Sequence, residues 1–111
     1  MHAVVIEQSG TATIVRGAGE LDAFAAPDLA TAFHQLQGAT SVLADLTRVS
    51  FMDSTALGVI VRGVRTLGKD GARVRVVLPQ GPARRIFEIT TLDQALPVSA
   101  TKQAALEALG A

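Results

Sequence analysis

Residues 41–69 of the chain read SVLADLTRVSFMDSTALGVIVRGVRTLGK, which predicts a strand, a loop and a helix in succession. Residues 41–46 are almost continuously apolar, as in a central strand whose two faces are both covered. A loop is predicted over 47–51, and a helix then begins near Ser54. Its apolar side chains recur at the spacing of one helix face: Leu57, Ile60, Val61, Val64 and Leu67. A doubly covered strand followed by an amphipathic helix is the unit of an α/β fold.

The segments before this unit predict a hairpin. Residues 3–6 and 11–16 are β-prone, and the pair Ser9-Gly10 between them is a turn signal. Residues 17–22 are rich in glycine and are expected to form a loop. Pro27 then opens a first helix, because proline is favoured at the start of a helix.

The segments after residue 69 continue the alternation of strands and helices. They comprise a strand over 73–78, a helix opening at 81–82, a short strand over 92–98 and a last helix that Thr101 would cap. Pro97 lacks an N–H group, which confines its strand to a sheet edge. The order ββαβαβαβα predicts one domain over residues 1–111, with a mixed sheet of four to five strands and about four helices packed on it.

The composition excludes several classes of protein. Of the 111 residues, 49% are apolar, which is enough for a core and argues against disorder. Ten basic and ten acidic side chains give zero formal net charge, which argues against a nucleic-acid binder. The chain has no cysteine, so disulfides and thiolate metal sites are excluded. No apolar run approaches the ~20 residues that span a bilayer, and no secretory signal is evident. We therefore expect a cytoplasmic protein without direct membrane insertion.

Catalytic and cofactor sites are not evident in the sequence. His2 and His34 lie far apart, with no acidic cluster beside them to complete a metal site. Asp22, Asp45 and Asp53 could approach one another at strand ends, but acids in such positions usually form turns. Residues 17–19 are too short for a phosphate-binding loop. We expect a protein that is not an enzyme and that uses no cofactor or metal.

Ser54 is the residue that the sequence singles out. It follows Asp53 and lies where a helix begins, so backbone N–H groups and the helix dipole favour negative charge around it. One hypothesis is an ordinary helix cap, with Asp53 sharing that role. The other is a phosphorylation switch. The residues alone leave both open, and the two roles can coexist.

The predicted second helix also carries two interior glycines, Gly58 and Gly63. Each disfavours the helix by ~1 kcal/mol relative to alanine, so each calls for a reason. One is close packing on the sheet, and the other is close approach of a partner near Ser54. Val59 falls outside the apolar stripe and is expected to be an exposed docking residue. Arg62 shares the helix's outer face with Arg65 and Lys69, either in solvent or against an acidic partner.

Residues 45–60, DLTRVSFMDSTALGVI, resemble the phosphorylation-site signature of the anti-sigma factor antagonists, whose fold is the STAS domain. Residues 19–22 resemble a second signature of this family, and residues 84–88 with Leu92-Asp93 are similar to its third-helix region. The resemblance covers essentially the whole chain. One departure is Ala56, which stands where glycine is most common in the family and is sterically close to it.

The resemblance implies a bacterial protein–protein switch in transcription regulation. The unphosphorylated protein would bind an anti-sigma factor that is also a serine kinase, and so free the sigma factor. The kinase would phosphorylate Ser54, the phosphorylated form would dissociate, and a phosphatase would reset it. The residues expected to bind the partner are Asp22, Asp53, Ser54, Thr55, Gly58, Val59 and Arg62.

Two further functions are alternatives. STAS domains also occur as subunits of transporters and of stress-signalling scaffold complexes, and nothing in the residues excludes such a role. Direct nucleotide binding is the other, but no phosphate-binding loop supports it.

Overall fold

The computed structural model describes residues 1–90 and 96–110. The strands and helices follow in the predicted order. They are β1 (His2–Ser9), β2 (Ala12–Leu21), α1 (Ala26–Gln35), β3 (Ser41–Met52), α2 (Ser54–Lys69), β4 (Arg73–Val77), α3 (Pro82–Ile89), β5 (Val98–Ser99) and α4 (Lys102–Leu109).

The five strands form one mixed sheet in the order β1-β2-β3-β4-β5. β1 and β2 pair antiparallel as the predicted hairpin, and the remaining neighbours pair parallel. β5 lies at an edge, as the position of Pro97 predicted. The first part of that predicted strand, residues 91–95, lies outside the described residues. Because β2, β3 and β4 run in the same direction, their carboxyl ends meet at one end of the sheet.

Two segments predicted as loops are strands, and those predictions were wrong. β2 continues through residues 17–21 and β3 continues through 47–52. The two extensions pair with each other, with irregularities in register between Arg16 and Ala18 and between Gly19 and Glu20. Gly19 has φ +77°, and an added Cβ there would collide with the carbonyl oxygen of Met1. The glycines therefore permit these irregularities without ending the strand.

The sheet is covered on both faces. Side chains of α1, α2 and α3 pack with the strands in one large cluster, in which Phe87 is fully buried. A smaller cluster on the other face brings α4 against the strands: Ala12, Ile14, Leu43, Val77, Ala105 and Leu109. Successive residues of β3 and β4 alternate between the two clusters, which is the period-2 pattern of strands covered on both sides.

Candidate functional site

The carboxyl ends of β2 and β3 place Asp22 and Asp53 on adjacent chain segments. Leu21 pairs with Met52 in the sheet, and the Asp53 N–H donates to the Leu21 carbonyl at 3.0 Å. The Asp22 carboxylate accepts the N–H groups of Phe24 and Ala25, at 3.0 and 3.2 Å. Both aspartates are half-buried. The β2–α1 turn and the start of α2 therefore form one continuous surface at this end of the sheet.

Asp53 caps α2, and Ser54 is the first helical residue. Asp53 has an extended backbone, with φ −100° and ψ 176°, and its Oδ1 accepts the Ala56 N–H at 3.0 Å. The hypothesis that Ser54 is itself the cap is therefore wrong. The serine is exposed, and its hydroxyl makes no hydrogen bond to any residue within 1–90 or 96–110. A modifying enzyme can reach it without first breaking a contact.

The first turn of α2 is suited to an added negative charge. It contains no acidic residue, and both Ser54 and Thr55 are exposed there. Unpaired backbone N–H groups and the dipole stabilise an anion at this position by about 0.3–1 kcal/mol. The adjacent Asp53 carboxylate opposes such an anion by like-charge repulsion. Because the two effects oppose each other, we expect little reorganisation of the helix on addition of a phosphate.

The two interior glycines of α2 have different structural surroundings. A Cβ on Gly63 would lie 2.6 and 2.8 Å from ring carbons of Phe33, so the absence of a side chain lets α1 pack closely on α2. The expected close packing is thus real, but it is against a helix and not against the sheet. A Cβ on Gly58 would meet only Arg62 within 4 Å. Gly58 is half-buried, and the expected approach of a partner to its backbone stays a prediction.

Val59 and Arg62 line a groove between α1 and α2. The groove has a volume of about 230 Å³. Val59 is half-buried and packs against the large cluster, so the prediction that it is exposed was wrong, and its docking role stays a prediction. Arg62 is exposed, as are Arg65 and Lys69. Arg62 forms no ion pair with any residue in the described part of the chain.

Two exposed aromatic side chains lie at this end of the sheet, and the sequence did not predict either as part of the site. Phe24, in the turn after Asp22, is 86% exposed, and Phe51, near the end of β3, is 50% exposed. The chain contains four phenylalanines, and the other two, Phe33 and Phe87, are buried. The signal in the sequence was the position of Phe24 between the predicted loop, which ends at Asp22, and the predicted helix, which begins at Pro27.

Asp45 does not join Asp22 and Asp53, so the approach of the three carboxylates that the sequence left possible does not occur. It lies in the middle of β3, opposite Arg16, and is 3% exposed. Its Oδ1 accepts the backbone N–H and the hydroxyl of Thr47, at 3.0 and 2.6 Å. Its Oδ2 lies 3.7 Å from Nε of Arg16, which also pairs with Glu7. The Asp45 carboxylate therefore links β3 to β2 through Arg16.

Across residues 1–90 and 96–110, no three His, Cys, Asp or Glu side chains gather as metal ligands. Over the same ranges, no helix is both long enough and apolar enough to cross a bilayer.

Comparisons with known proteins agree with the architecture. The model of the STAS domain family matches residues 3–105. The anti-sigma-B factor antagonist of Listeria monocytogenes is 35% identical over 83 residues, which is 73% of each chain. The crystal structure of an anti-sigma factor antagonist from Mycobacterium paratuberculosis has a TM-score of 0.91 at 26% identity, covering 100% of this chain and 96% of that one.

A second solved structure is the Bacillus cell fate determinant SpoIIAA in its phosphorylated form. It has a TM-score of 0.72 at 26% identity, and the match covers 95% of this chain and 97% of that one. The family match over nearly the whole length and the relative above 30% identity point the same way. The chain belongs to the STAS-domain family of anti-sigma factor antagonists.

Proposed function

We propose that this protein is a phosphorylation-controlled anti-sigma factor antagonist. Its unphosphorylated form binds an anti-sigma factor that is also a serine kinase, and this binding releases the sigma factor. Phosphorylation of Ser54 ends the binding, and a phosphatase restores it. The observation that carries the proposal is the exposed Ser54 hydroxyl, which lies at the entrance of α2 and makes no contact that the fold needs.

The partner-binding surface combines polar and apolar residues around that hydroxyl. Asp22, Asp53 and Thr55 supply polar groups, and Gly58 lets a partner approach the helix backbone. Val59 and Arg62 extend the surface along α2. Phe24 and Phe51 add apolar area at the same end of the sheet, and exposed aromatic side chains are frequent anchors of protein interfaces.

The switch is expected to act on the complex more than on the fold. A phosphate adds roughly −1.5 to −2 charges and three strong acceptor oxygens. In an interface that already contains Asp22 and Asp53, a desolvated dianion without a counter-charge costs several kcal/mol. Since every ~1.4 kcal/mol is tenfold in affinity, binding should weaken by about two to three orders of magnitude.

The protein itself is proposed to have no catalytic activity and to work in the cytoplasm, where an ATP-dependent kinase and a sigma factor operate. A role as a subunit of a transporter or scaffold would give a different result in one experiment. Affinity capture from native cells with a Ser54→Ala bait should recover a small kinase. Recovery of a membrane ATPase or a large particle instead would support the alternative role.

The decisive test combines mass spectrometry with binding measurements. Incubation with the candidate kinase and ATP should add one phosphate at Ser54, none to Ser54→Ala, and one to Thr55→Ala as the matched control. Ser54→Asp should bind the anti-sigma factor more weakly than Ser54→Asn, which has the same size without the charge. Full phosphorylation of Ser54→Ala, or equal binding by the Asp and Asn variants, would contradict the proposal.

A further inference from the structure

The two edges of the sheet differ in their protection against pairing with another chain. β5 is 2 residues long and follows Pro97, and short strands and proline are common protections of an exposed edge. β1 forms the other edge with 8 residues, and no strand among residues 1–90 and 96–110 pairs with its outer side. β1 contains no proline or lysine, and its charged residue Glu7 already pairs with Arg16. The β1 edge is therefore open to a further strand.

The even-numbered residues of β1 carry the backbone groups that point outwards. The Met1 carbonyl accepts the Glu20 N–H at 3.3 Å, and the hairpin closes on the pair of Ser9 with Ala12. Hydrogen-bonded and non-hydrogen-bonded pairs alternate along antiparallel strands, so the backbone groups at odd positions point to β2. The groups that point away from β2 belong to His2, Val4, Ile6 and Gln8.

The side chains of β1 provide apolar contacts on both faces of this edge. Val4 and Ile6 are half-buried against the large cluster, and a recess of about 240 Å³ lies between them and α1. Val5 points to the opposite face and is 47% exposed. The proposed surface around Ser54 does not account for this exposed valine, because Val5 lies on the edge strand and not on α2.

A second copy of β1 matches these features in one antiparallel register. Residues directly opposite each other point to the same face, so even positions must pair with even positions. A two-fold axis at Val5 brings the two Val5 side chains together on one face. It also pairs every outward-pointing residue with one from the other copy: His2 with Gln8, and Val4 with Ile6.

The other registers are less favourable. A shift by two residues in either direction leaves one outward-pointing residue of each copy unpaired, and it places Val5 opposite Ala3 or Glu7. With the axis at Val5, Glu7 falls opposite Ala3 instead. The two Glu7 carboxylates are then not opposed, and each can keep its ion pair with Arg16.

We propose that two copies of this chain associate through β1, antiparallel about Val5, so that one sheet extends across both copies. The two copies use the same surface, so the association closes at a dimer. Interfaces below about 1,200 Å² are typically weak, and a single strand pair is small, so the dimer should dissociate on dilution. The pairing requires nothing from Ser54 or α2, and it goes beyond the proposed function.

Amide hydrogen exchange at low and high protein concentration tests the pairing without any other protein. The N–H groups of Val4 and Ile6 should exchange about tenfold more slowly at high concentration, because each then donates to the other copy. The Val5 N–H points to β2 in both states and is the internal control. Sedimentation of the same samples should show the mass rising from 11.5 kDa towards twice that value. Exchange of Val4 and Ile6 that is independent of concentration would overturn the proposal.

Three variants test the register. Val5→Glu places two carboxylates together at the two-fold axis and should raise the dissociation constant of the dimer by about tenfold. Ala3→Lys should lower it by about threefold, because the ammonium group falls opposite Glu7 of the other copy. Ala3→Glu is the matched control, since it changes the same exposed residue and should raise the dissociation constant. An unchanged dimer in Val5→Glu, or equal effects of the two Ala3 variants, would contradict this pairing.

Discussion

Asp53 and Ser54 are adjacent residues with separate tasks. The Asp53 carboxylate accepts the Ala56 N–H and holds the first turn of α2, whereas the Ser54 hydroxyl makes no hydrogen bond to a described residue. Asp53 also lies within the proposed partner-binding surface. Its contribution to the fold and its contribution to binding can be separated by substitution, because asparagine retains the capping oxygen but not the charge.

Replacement of Asp53 by alanine should lower the free energy of unfolding by about 1 kcal/mol, since it removes the N-cap of α2. Urea denaturation should show a lower midpoint with an unchanged slope. Asp53→Asn should retain most of the stability while weakening binding of the anti-sigma factor. A loss of stability in Asp53→Asn as large as that in Asp53→Ala would show that the charge, and not the cap, stabilises the helix.

The position of Ser54 at a helix entrance was predictable, but the identity of the cap was not. The apolar side chains from Leu57 onward show where the helix runs. They do not determine its first residue to within one position. Asp and Ser are equally good caps, so composition does not choose between Asp53 and Ser54. The exposure of Phe24 was not predicted either, because it depends on how the β2–α1 turn lies on the rest of the molecule.

Helix α2 shows how one element can carry two glycines for unrelated reasons. Gly63 lies under the Phe33 ring, where a methyl group has no room. Gly58 lies beside the flexible end of Arg62, which can move aside. Helix propensity alone predicts that alanine would stabilise both positions by ~1 kcal/mol. At Gly63, contact with Phe33 reverses that expectation, so alanine there should destabilise the protein.

Gly63→Ala should destabilise the protein by about 1–3 kcal/mol, because overpacking against Phe33 exceeds the gain in helix propensity. Gly58→Ala should leave stability unchanged or raise it by up to ~1 kcal/mol. Thermal or urea unfolding of the two variants side by side checks this contrast, and each variant is the control for the other. Equal effects on stability would contradict the assignment of Gly63 to helix packing.

Strand ends were the least predictable elements. Residues 17–22 were predicted to form a loop because they are rich in glycine, and residues 47–51 were predicted to form a loop before the second helix. In the structure these two segments pair with each other, and backbone hydrogen bonding outweighs composition. The strand predicted over 41–46 is the first half of β3, and the strand predicted over 73–78 is β4, which ends one residue earlier at Val77. Asp22, Asp53 and Ser54 therefore lie at the carboxyl end of the parallel strands, and the two strands that lead to them are longer than predicted.

Over the whole molecule, the proposed switch and the smaller core cluster lie apart. Ser54 is at the carboxyl end of the parallel strands, and α4 packs on the opposite face of the sheet from α2. The chain has zero formal net charge, so a single phosphate changes its net charge from zero to roughly −1.5 to −2. That change is electrostatic and local, because the modified residue has no packed neighbours to displace.

Phosphorylation of Ser54 should therefore leave the fold intact. Amide chemical-shift changes should be confined to the β2–α1 turn, the end of β3 and the first half of α2. Probes in α4, such as Ala105 and Leu109, should not move. Ser54→Ala treated in the same way provides the control spectrum. Changes of comparable size in α4 would indicate a conformational switch and contradict the electrostatic mechanism.

The separation of the Asp53 cap from Ser54 also bears on how such a switch evolves. Because the side chain at position 54 does not stabilise the fold, the Ser54 hydroxyl can be gained, lost or replaced in evolution without an unstable intermediate. Regulation can then diverge among duplicated copies while the architecture persists. Descendants that no longer respond to a kinase would still fold, and they would remain available for new interactions.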